Sequence, residues 1–194
     1  MESNVSDVGA TKVWKLSNQN MNEIFKQATH NPPHLFLPNT LYMLTASIYQ
    51  HEPLMFSPKR KMEWIASFLN SAEIYRWEVI AWVVLHNHYH AIVQSSENVD
   101  ALPKFVGSYH KFTARKWNDE ENASGRRIWR NYWDTCLRSE KDYYTRLRYI
   151  FWNPVKHELC TTPEEYPFSN YKEFLLNRQI NFADISEVND VPEY

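Results

Sequence analysis

Residues 78–94, EVIAWVVLHNHYHAIVQ, decide the fold of this chain. After Glu78, the stretch to residue 85 is a run of aliphatic and aromatic side chains, which indicates a strand buried on both faces. Asn87 marks a turn, and the second apolar run, 88–94, is then the antiparallel partner of the first. The stretch therefore predicts two adjacent antiparallel strands.

Strand and helix patterns continue on both sides of this pair. A helix starts at Ser139, with Asp142 three residues later. It runs to about residue 153, where Pro154 ends or kinks it, with a resumption to 159 as the alternative. The other predicted strands cover 41–49 and 127–137, and the other predicted helices cover 18–28, 58–75 and 100–118. This order predicts an α+β fold, a small antiparallel sheet with helices packed on it.

The length of 194 residues and the hydrophobic content of 43% favour one domain and exclude a disordered chain. Prolines at 32 and 33 break the first helix, so the domain is placed at 31–175. An N-terminal extension at 1–30 precedes it, and an acidic tail at 176–194 follows it. No run approaches the roughly 18 apolar residues of a membrane helix, and the N-terminus lacks the apolar segment of a signal peptide. We therefore expect a cytoplasmic protein without a membrane partner.

The net charge of −2 conceals an uneven distribution. Residues 104–160 carry 12 basic and 7 acidic side chains, whereas residues 161–194 carry 2 and 7. A basic centre predicts a polyanionic partner, and a solvated mixed-charge surface is the alternative.

The two cysteines, Cys136 and Cys160, form no C-x-x-C pair. This spacing excludes a zinc ribbon or a thioredoxin-type motif, and the two residues are interpreted as ordinary buried thiols.

Two histidines of the second strand are candidate metal ligands. His88 and His90 are two residues apart, so in a strand both imidazoles project from the same face. Neutral imidazole is the commonest metal ligand in proteins, although two structural histidines would give the same pattern. His86 would be a third ligand only if the strand were continuous, and the turn at Asn87 argues against that.

A second group of polar side chains lies in the string RLRYIFWNPVKHEL, about sixty residues later. Tyr149 and Asn153 are four residues apart and share one face of the predicted helix, with Arg146 on roughly the same side. A phenol and an amide oxygen would then be offered together. The alternative is that Tyr149 only packs among the apolar residues of this helix.

The two strings together resemble the HUH single-tyrosine transposases, and most closely the REP-associated tyrosine transposase branch. The His–hydrophobic–His motif of that family is similar to residues 88–90, preceded by Asn87, and its Y-I-x-x-N-P-V string is similar to residues 149–155. The resemblance covers about residues 35–175 and includes KFTARKWN, IWRNYWDTCLRSEKD and YPFSNY. The differences are His86, where the family has proline, a tyrosine between the paired histidines, and His157 and Glu158 after the N-P-V string.

The resemblance implies a ferredoxin-like HUH-type domain. Its reaction is metal-dependent cleavage and rejoining of single-stranded DNA at hairpin-flanked sites, through a 5′-phosphotyrosine intermediate. Tyr149 would be the nucleophile, and His88, His90 and Asn153 would bind Mg²⁺ or Mn²⁺, although these ligand types alone equally allow zinc. Single-stranded or hairpin DNA would be the partner of a nucleoid-associated monomer or homodimer.

Basic side chains in the middle of the chain are the candidate DNA contacts, because Lys and Arg bind phosphates. The set consists of Lys104, Lys111, Arg115, Lys116, Arg126, Arg127, Arg130 and Arg146. Aromatic side chains offer base stacking, with core packing as the alternative for at least half of them. These are Trp117, Trp129, Tyr132 and Trp133.

Two other functions are open at this point. A hairpin-DNA-binding protein of the same fold would have lost transposition, and Tyr149→Phe would distinguish it from a nuclease. A zinc hydrolase would use His86, His88 and His90 as ligands and would leave Asn153 without a task. A relaxase or replication initiator would share the metal and tyrosine chemistry, but the surrounding strings fit a transposase better.

Overall fold

Four strands and four α-helices form the part of the chain that the computed structural model describes, residues 37–97 and 102–178. In chain order they are β1 (Leu41–Ser47), α1 (Pro58–Tyr75), β2 (Glu78–Val84), β3 (His88–Gln94), α2 (Leu102–Glu120), β4 (Trp133–Cys136), α3 (Glu140–Lys156) and α4 (Tyr171–Arg178), with short 3₁₀ helices at Tyr49–His51 and Pro163–Glu165. The predicted helix over 18–28, the extension at 1–30 and most of the acidic tail lie outside the described residues.

The strands form one antiparallel sheet in the order β2-β3-β1-β4. With α1 and α2 as the two crossovers, the first six elements have the ferredoxin-like β-α-β-β-α-β arrangement. The predicted α+β fold is therefore confirmed. The pairing of β1 with β3 places Thr45 opposite His90 and Ser47 opposite His88.

Helices cover both faces of the sheet. Alternate residues of a strand point to opposite faces, so each face has its own apolar core. On one face Leu44 and Tyr89 belong to a core that includes Trp64 of α1 and Phe105 of α2. On the other face the core contains side chains of β1, β2, β3, α3 and α4, among them Leu41, Met43, Ile80, Ile92, Leu147, Ile150 and Phe174. Thr45, His88 and His90 therefore continue the face that α3 covers.

Capping motifs define both ends of α3, the helix that covers this second face. Ser139 accepts a hydrogen bond from Asp142 N at 3.1 Å, as the sequence predicts for the start of α3. The helix continues through Pro154 to Lys156, so it passes the predicted end at 153 and stops short of the alternative end at 159. It closes with Glu158 N bonded to Val155 O and Leu159 N bonded to Pro154 O, both at 2.9 Å. In this Schellman motif Glu158 is the left-handed residue, with φ of 56°.

Three element boundaries differ from the prediction. The strand predicted over 127–137 is confined to Trp133–Cys136, because its register with β1 shifts by one residue between the Thr45–Trp133 pair and the isolated Ile48–Trp129 bridge. β1 ends at Ser47, where the turn at Tyr49–His51 begins. Helix α2 extends to Glu120, whose carboxylate pairs with Lys59 of α1 at 3.2 Å.

The outer edge of β2 is covered by the stretch YPFSNY at 166–171. Tyr166 donates from its hydroxyl to Val84 O at 2.8 Å, and Val84 N donates to Phe168 O at 2.9 Å. The side chain of Asn170 accepts from Trp82 N at 2.8 Å and donates to Ile80 O at 3.0 Å. This stretch therefore satisfies backbone groups that an edge strand would otherwise expose.

Both cysteines are free and partly exposed, so they are less buried than predicted. Within the two described ranges, no helix is both long enough and apolar enough to cross a bilayer.

Candidate active site

The polar end of the second sheet face meets helix α3. Thr45 of β1 and His90 of β3 are paired across the sheet, and His88 lies one pleat further along β3. Tyr149 and Asn153 come from the face of α3 that packs on these strands, where Asn153 is 1% exposed. The apolar series that begins with Leu41 and Met43 thus gives way to a cluster of polar side chains.

The structure brings the four sequence-predicted side chains of this site together. The rings of His88 and His90 have centroids 5.1 Å apart at an angle of 74°. The ring of Tyr149 lies 4.8 Å from that of His90, at 73°. The Nε2 atom of His88 is 3.3 Å from Oδ1 of Asn153. The spacing in both strings therefore reflects one spatial cluster.

Asn87 sets the tautomer of His88. Its Nδ2 donates to His51 O at 2.9 Å, so its Oδ1 faces Nδ1 of His88 at 2.7 Å and accepts that proton. Nε2 of His88 is then a bare lone pair, and it faces a second acceptor, Oδ1 of Asn153. A bound cation removes this conflict. Without a cation, the Asn153 amide must turn over and donate from Nδ2.

His90 has one nitrogen held and one bare. Its Nδ1 lies 2.8 Å from Oγ1 of Thr45. Its Nε2 and the Nδ2 of Asn153 are buried and have no hydrogen-bond partner among the described residues. Burial lowers the pKa of His88 to about 4 and places the pKa of His90 well below its ordinary value. Both imidazoles are therefore neutral near pH 7 and can act as ligands.

This donor set of two imidazole nitrogens and one amide oxygen in one cluster fits a divalent ion. Over the described ranges, no three His, Cys, Asp or Glu side chains converge, and the polar group beside the two imidazoles is the amide of Asn153. His86 lies outside the strand, and its ring packs on Phe56 with centroids 4.7 Å apart. The three-histidine zinc hydrolase is therefore not favoured.

Two further basic side chains lie beside the cluster. The ring of His157, at the C-cap of α3, is 5.1 Å from that of His88. Arg146 is 7% exposed, and its charge contributes to the lowered pKa of His90 after burial and the neighbouring histidines. Its predicted contact with DNA stays a prediction. Its position is inside the site rather than on the open surface.

The remaining basic side chains of the predicted set fall into three groups, which differ in position and in ion pairing. Lys104, Lys111 and Arg115 are exposed on α2, where Arg115 is 3.9 Å from Asp119. Two others are paired with glutamates, Lys116 with Glu120 at 3.2 Å and Arg126 with Glu121 at 2.7 Å. Arg127 and Arg130 are exposed on the irregular segment before β4.

The aromatic candidates for base stacking divide in the same way. Trp117 and Trp129 are buried in the core under α2, which is the alternative that the sequence left open. Tyr132 is half-buried, whereas Trp133 is 75% exposed.

Sequence reasoning missed three groups that orient the ligands. Thr45 had a weak signal, because it follows Leu41 and Met43 at the same strand spacing but is polar. Asn87 was assigned only a turn. His51 lies about 36 positions before Asn87, and only the folded structure brings the two together.

Comparisons with known proteins fit this arrangement, although no known family model matches the chain. A protein of Haemophilus influenzae named as a REP-associated tyrosine transposase is 29% identical over 125 residues, which cover 56% of this chain and 67% of that protein. The REP-associated tyrosine transposase of Escherichia coli is 33% identical over 101 residues, which cover 49% of this chain and 54% of that protein. The match thus spans about two thirds of the first relative and about half of the second.

A solved structure of a REP-associated tyrosine transposase bound to a REP hairpin has the same fold. It superposes with a TM-score of 0.65 and 20% sequence identity, over 86% of this chain and 95% of that one.

Proposed function

The chain is a relative of the REP-associated tyrosine transposases, as its motifs indicated, and from this premise we propose that it is a transposase that cleaves and rejoins single-stranded DNA. Tyr149 is the nucleophile of the proposed reaction. His88, His90 and Asn153 hold the Mg²⁺ or Mn²⁺ ion that the reaction needs. The substrate is a single strand flanked by a hairpin.

One observation carries this proposal. The phenol of Tyr149 packs against His90 at 4.8 Å between ring centroids, on the side of the sheet where His88 Nε2 meets Asn153 Oδ1 at 3.3 Å. A nucleophile and a ligand set for a cation thus lie side by side on one face of the sheet. The buried Nε2 of His90 has no hydrogen-bond partner among the described residues, as expected of an imidazole nitrogen that binds a cation.

The chemistry follows from the groups present. The oxygen of Tyr149 attacks the phosphorus of the scissile phosphodiester, the bond from phosphorus to the 3′ oxygen breaks, and the departing oxygen takes up a proton as the phenol loses one. When bound, a divalent ion polarises the phosphate and stabilises the departing oxygen. Arg146 places a positive charge beside His90, where it favours the anionic phosphate and the ionised phenol. The phosphotyrosine link keeps the energy of the cleaved ester, so rejoining reverses the same steps.

The test is incubation of the protein with labelled single-stranded DNA from the flanks of its own gene, with Mg²⁺ or with EDTA. We expect a protein–DNA band that resists denaturation with Mg²⁺ and is absent with EDTA. Tyr149→Phe should abolish that band and retain DNA binding, because it removes only the nucleophilic oxygen. Binding without any band in the wild type would instead support a hairpin-DNA-binding protein, and a band that survives in Tyr149→Phe would contradict the assigned nucleophile.

A further inference from the structure

We propose that Tyr49, His51, Arg127 and Arg130, here called the arginine rim, bind the DNA strand next to the cleaved phosphate. This inference rests on the proposed function and deepens it by locating the path of the strand. The rim consists of the turn after β1 and the irregular segment before β4, and it borders the ligand His88.

The first argument is a pair of positive charges that form no ion pair with any described residue. Of the predicted DNA contacts, Lys116 and Arg126 are held by glutamates, and Arg115 lies near an aspartate. By contrast, neither Arg127 nor Arg130 has a carboxylate partner among residues 37–97 and 102–178, and both are exposed. Two uncompensated guanidinium groups close together on one surface favour a phosphate backbone.

The second argument is the position of these cations. Lys104 and Lys111 are also exposed, but they project from α2, which packs on the sheet face opposite the candidate active site. The rim is different, because its segment is joined to the end of β1. Tyr49 N donates to Ile128 O at 2.7 Å, and Arg130 N donates to Ser47 O at 2.9 Å. Ser47 pairs with His88 in the sheet.

A chain of hydrogen bonds links the rim to the ligand set. Arg130 donates from a guanidinium nitrogen to Nε2 of His51 at 2.8 Å. The carbonyl of His51 accepts from Asn87 at 2.9 Å, and Asn87 in turn holds His88 at 2.7 Å. Three hydrogen bonds therefore connect Arg130, the proposed phosphate contact, with the ligand His88.

The turn itself supports a binding role. Gln50 and His51 have φ values of 56° and 57°, the left-handed conformation that residues with a side chain rarely adopt. Outside helix caps, such backbone is one of the features that cluster at functional sites. Here it directs the carbonyl of His51 to Asn87 and its ring to Arg130.

The rim also offers a surface for one base. The guanidinium of Arg127 lies 5.0 Å from the ring centroid of Tyr49, which remains 38% exposed. Stacked arginine and aromatic planes are typical of contacts with unpaired bases. Tyr49 and Arg127 therefore bind a base, and Arg130 with His51 binds phosphate.

The experiment measures binding of a labelled thymidine oligonucleotide of about 20 nucleotides in EDTA, over a series of salt concentrations. Arg127→Gln and Arg130→Gln should each reduce the slope of log K against log salt by about 0.7, the value of one phosphate contact to a single strand. Tyr49→Ala should weaken binding roughly 5- to 150-fold, and Tyr49→Phe should bind as the wild type does. Lys172→Gln, at an exposed lysine of α4 outside the predicted DNA contacts, is the matched control and should leave the slope unchanged. Thermal melting of each variant checks that it is folded.

The outcomes separate this inference from the proposed function, because binding in EDTA needs no cleavage. Unchanged slopes in both arginine variants, with a metal-dependent Tyr149 band in the wild type, would overturn the rim and leave the transposase proposal in place. Reduced slopes without any such band would support the rim and overturn the nuclease. A wild type that does not bind the oligonucleotide, or an equal loss in Lys172→Gln, would overturn the rim.

Discussion

Replacing Asn87 with alanine should weaken the binding of a divalent ion at the candidate active site. This amide makes two hydrogen bonds, to Nδ1 of His88 at 2.7 Å and to His51 O at 2.9 Å. The first bond holds the proton of His88 on Nδ1 and leaves Nε2 as the ligand. Alanine removes both bonds, so the imidazole is free to rotate and to change tautomer.

The expected size of the effect comes from the role of the lost group. Removing the partner of a metal-binding histidine lowers metal affinity about 10- to 100-fold. That factor corresponds to about 1.4–2.7 kcal/mol. It agrees with the cost of about 1–3 kcal/mol for leaving a buried donor without an acceptor.

The assay is calorimetric titration of the purified protein with Mn²⁺ at neutral pH, where His88 is neutral because burial lowers its pKa to about 4. Asn87→Asp is the matched control. It keeps an acceptor for His88 but loses the donor to His51 O, so it should bind Mn²⁺ at least as tightly as the wild type while its stability falls. An Asn87→Ala variant that is folded by circular dichroism and binds Mn²⁺ as the wild type does would refute the reasoning.

Three further predictions concern stability. Glu158→Gly should raise the free energy of unfolding by about 0.5–1 kcal/mol, because glycine adopts the left-handed conformation at φ of 56° without strain. Glu158→Ala should give no such gain, and thermal melting of the two variants tests the difference. Burial lowers the pKa of Lys61 to about 8, so the folded state binds fewer protons than the unfolded state and stability should rise with pH from about 8 to about 10. Lys61→Met should flatten that rise in urea unfolding. Burial lowers the pKa of His110 to about 3, so stability should fall as pH drops from about 6.5 to about 3, by up to about 1.4 kcal/mol per pH unit. His110→Gln should make this acid limb shallower, and an unchanged limb would contradict the assignment.

The elements of the fold were predictable where burial and periodicity agree. Strand β3, His88–Gln94, and helix α1, Pro58–Tyr75, have the predicted bounds, because apolar spacing reports the buried side of an element. The segment at 127–132 was predicted as strand because it is rich in β-forming residues. It is irregular because its register with β1 shifts by one residue before Trp133, and β-propensity measures fit to a packed surface rather than pairing.

The candidate site was predictable only within each string. Spacing of two in a strand and four in a helix places each pair of side chains on one face. What directs the two faces toward each other is the packing of α3 on the second side of the sheet, which no local pattern encodes. The roles of Thr45, Asn87 and His51 depend on sheet register and on a turn, so they emerge only from contacts far apart in sequence.

The positions of available positive charge were the property that the sequence predicted least well. A count of basic residues does not show which carboxylates will reach them across the fold. Glu63 of α1 and Glu120 of α2 approach Lys116 at 3.6 and 3.2 Å, although Glu63 is more than fifty residues away. The sequence therefore indicates how much positive charge is present, and only tertiary contacts indicate where it remains available.

The stretch at 166–171 that covers β2 limits how copies of this domain can associate. Because β2 is covered, β4 is the edge strand of the described sheet at which another chain could add backbone hydrogen bonds. The exposed Trp133 lies in β4. If two copies paired their β4 strands across a two-fold axis, the open edge strand of each copy would be occupied. Association of that kind would end with a pair of copies, because residues 166–171 already bond to the other edge strand of each sheet.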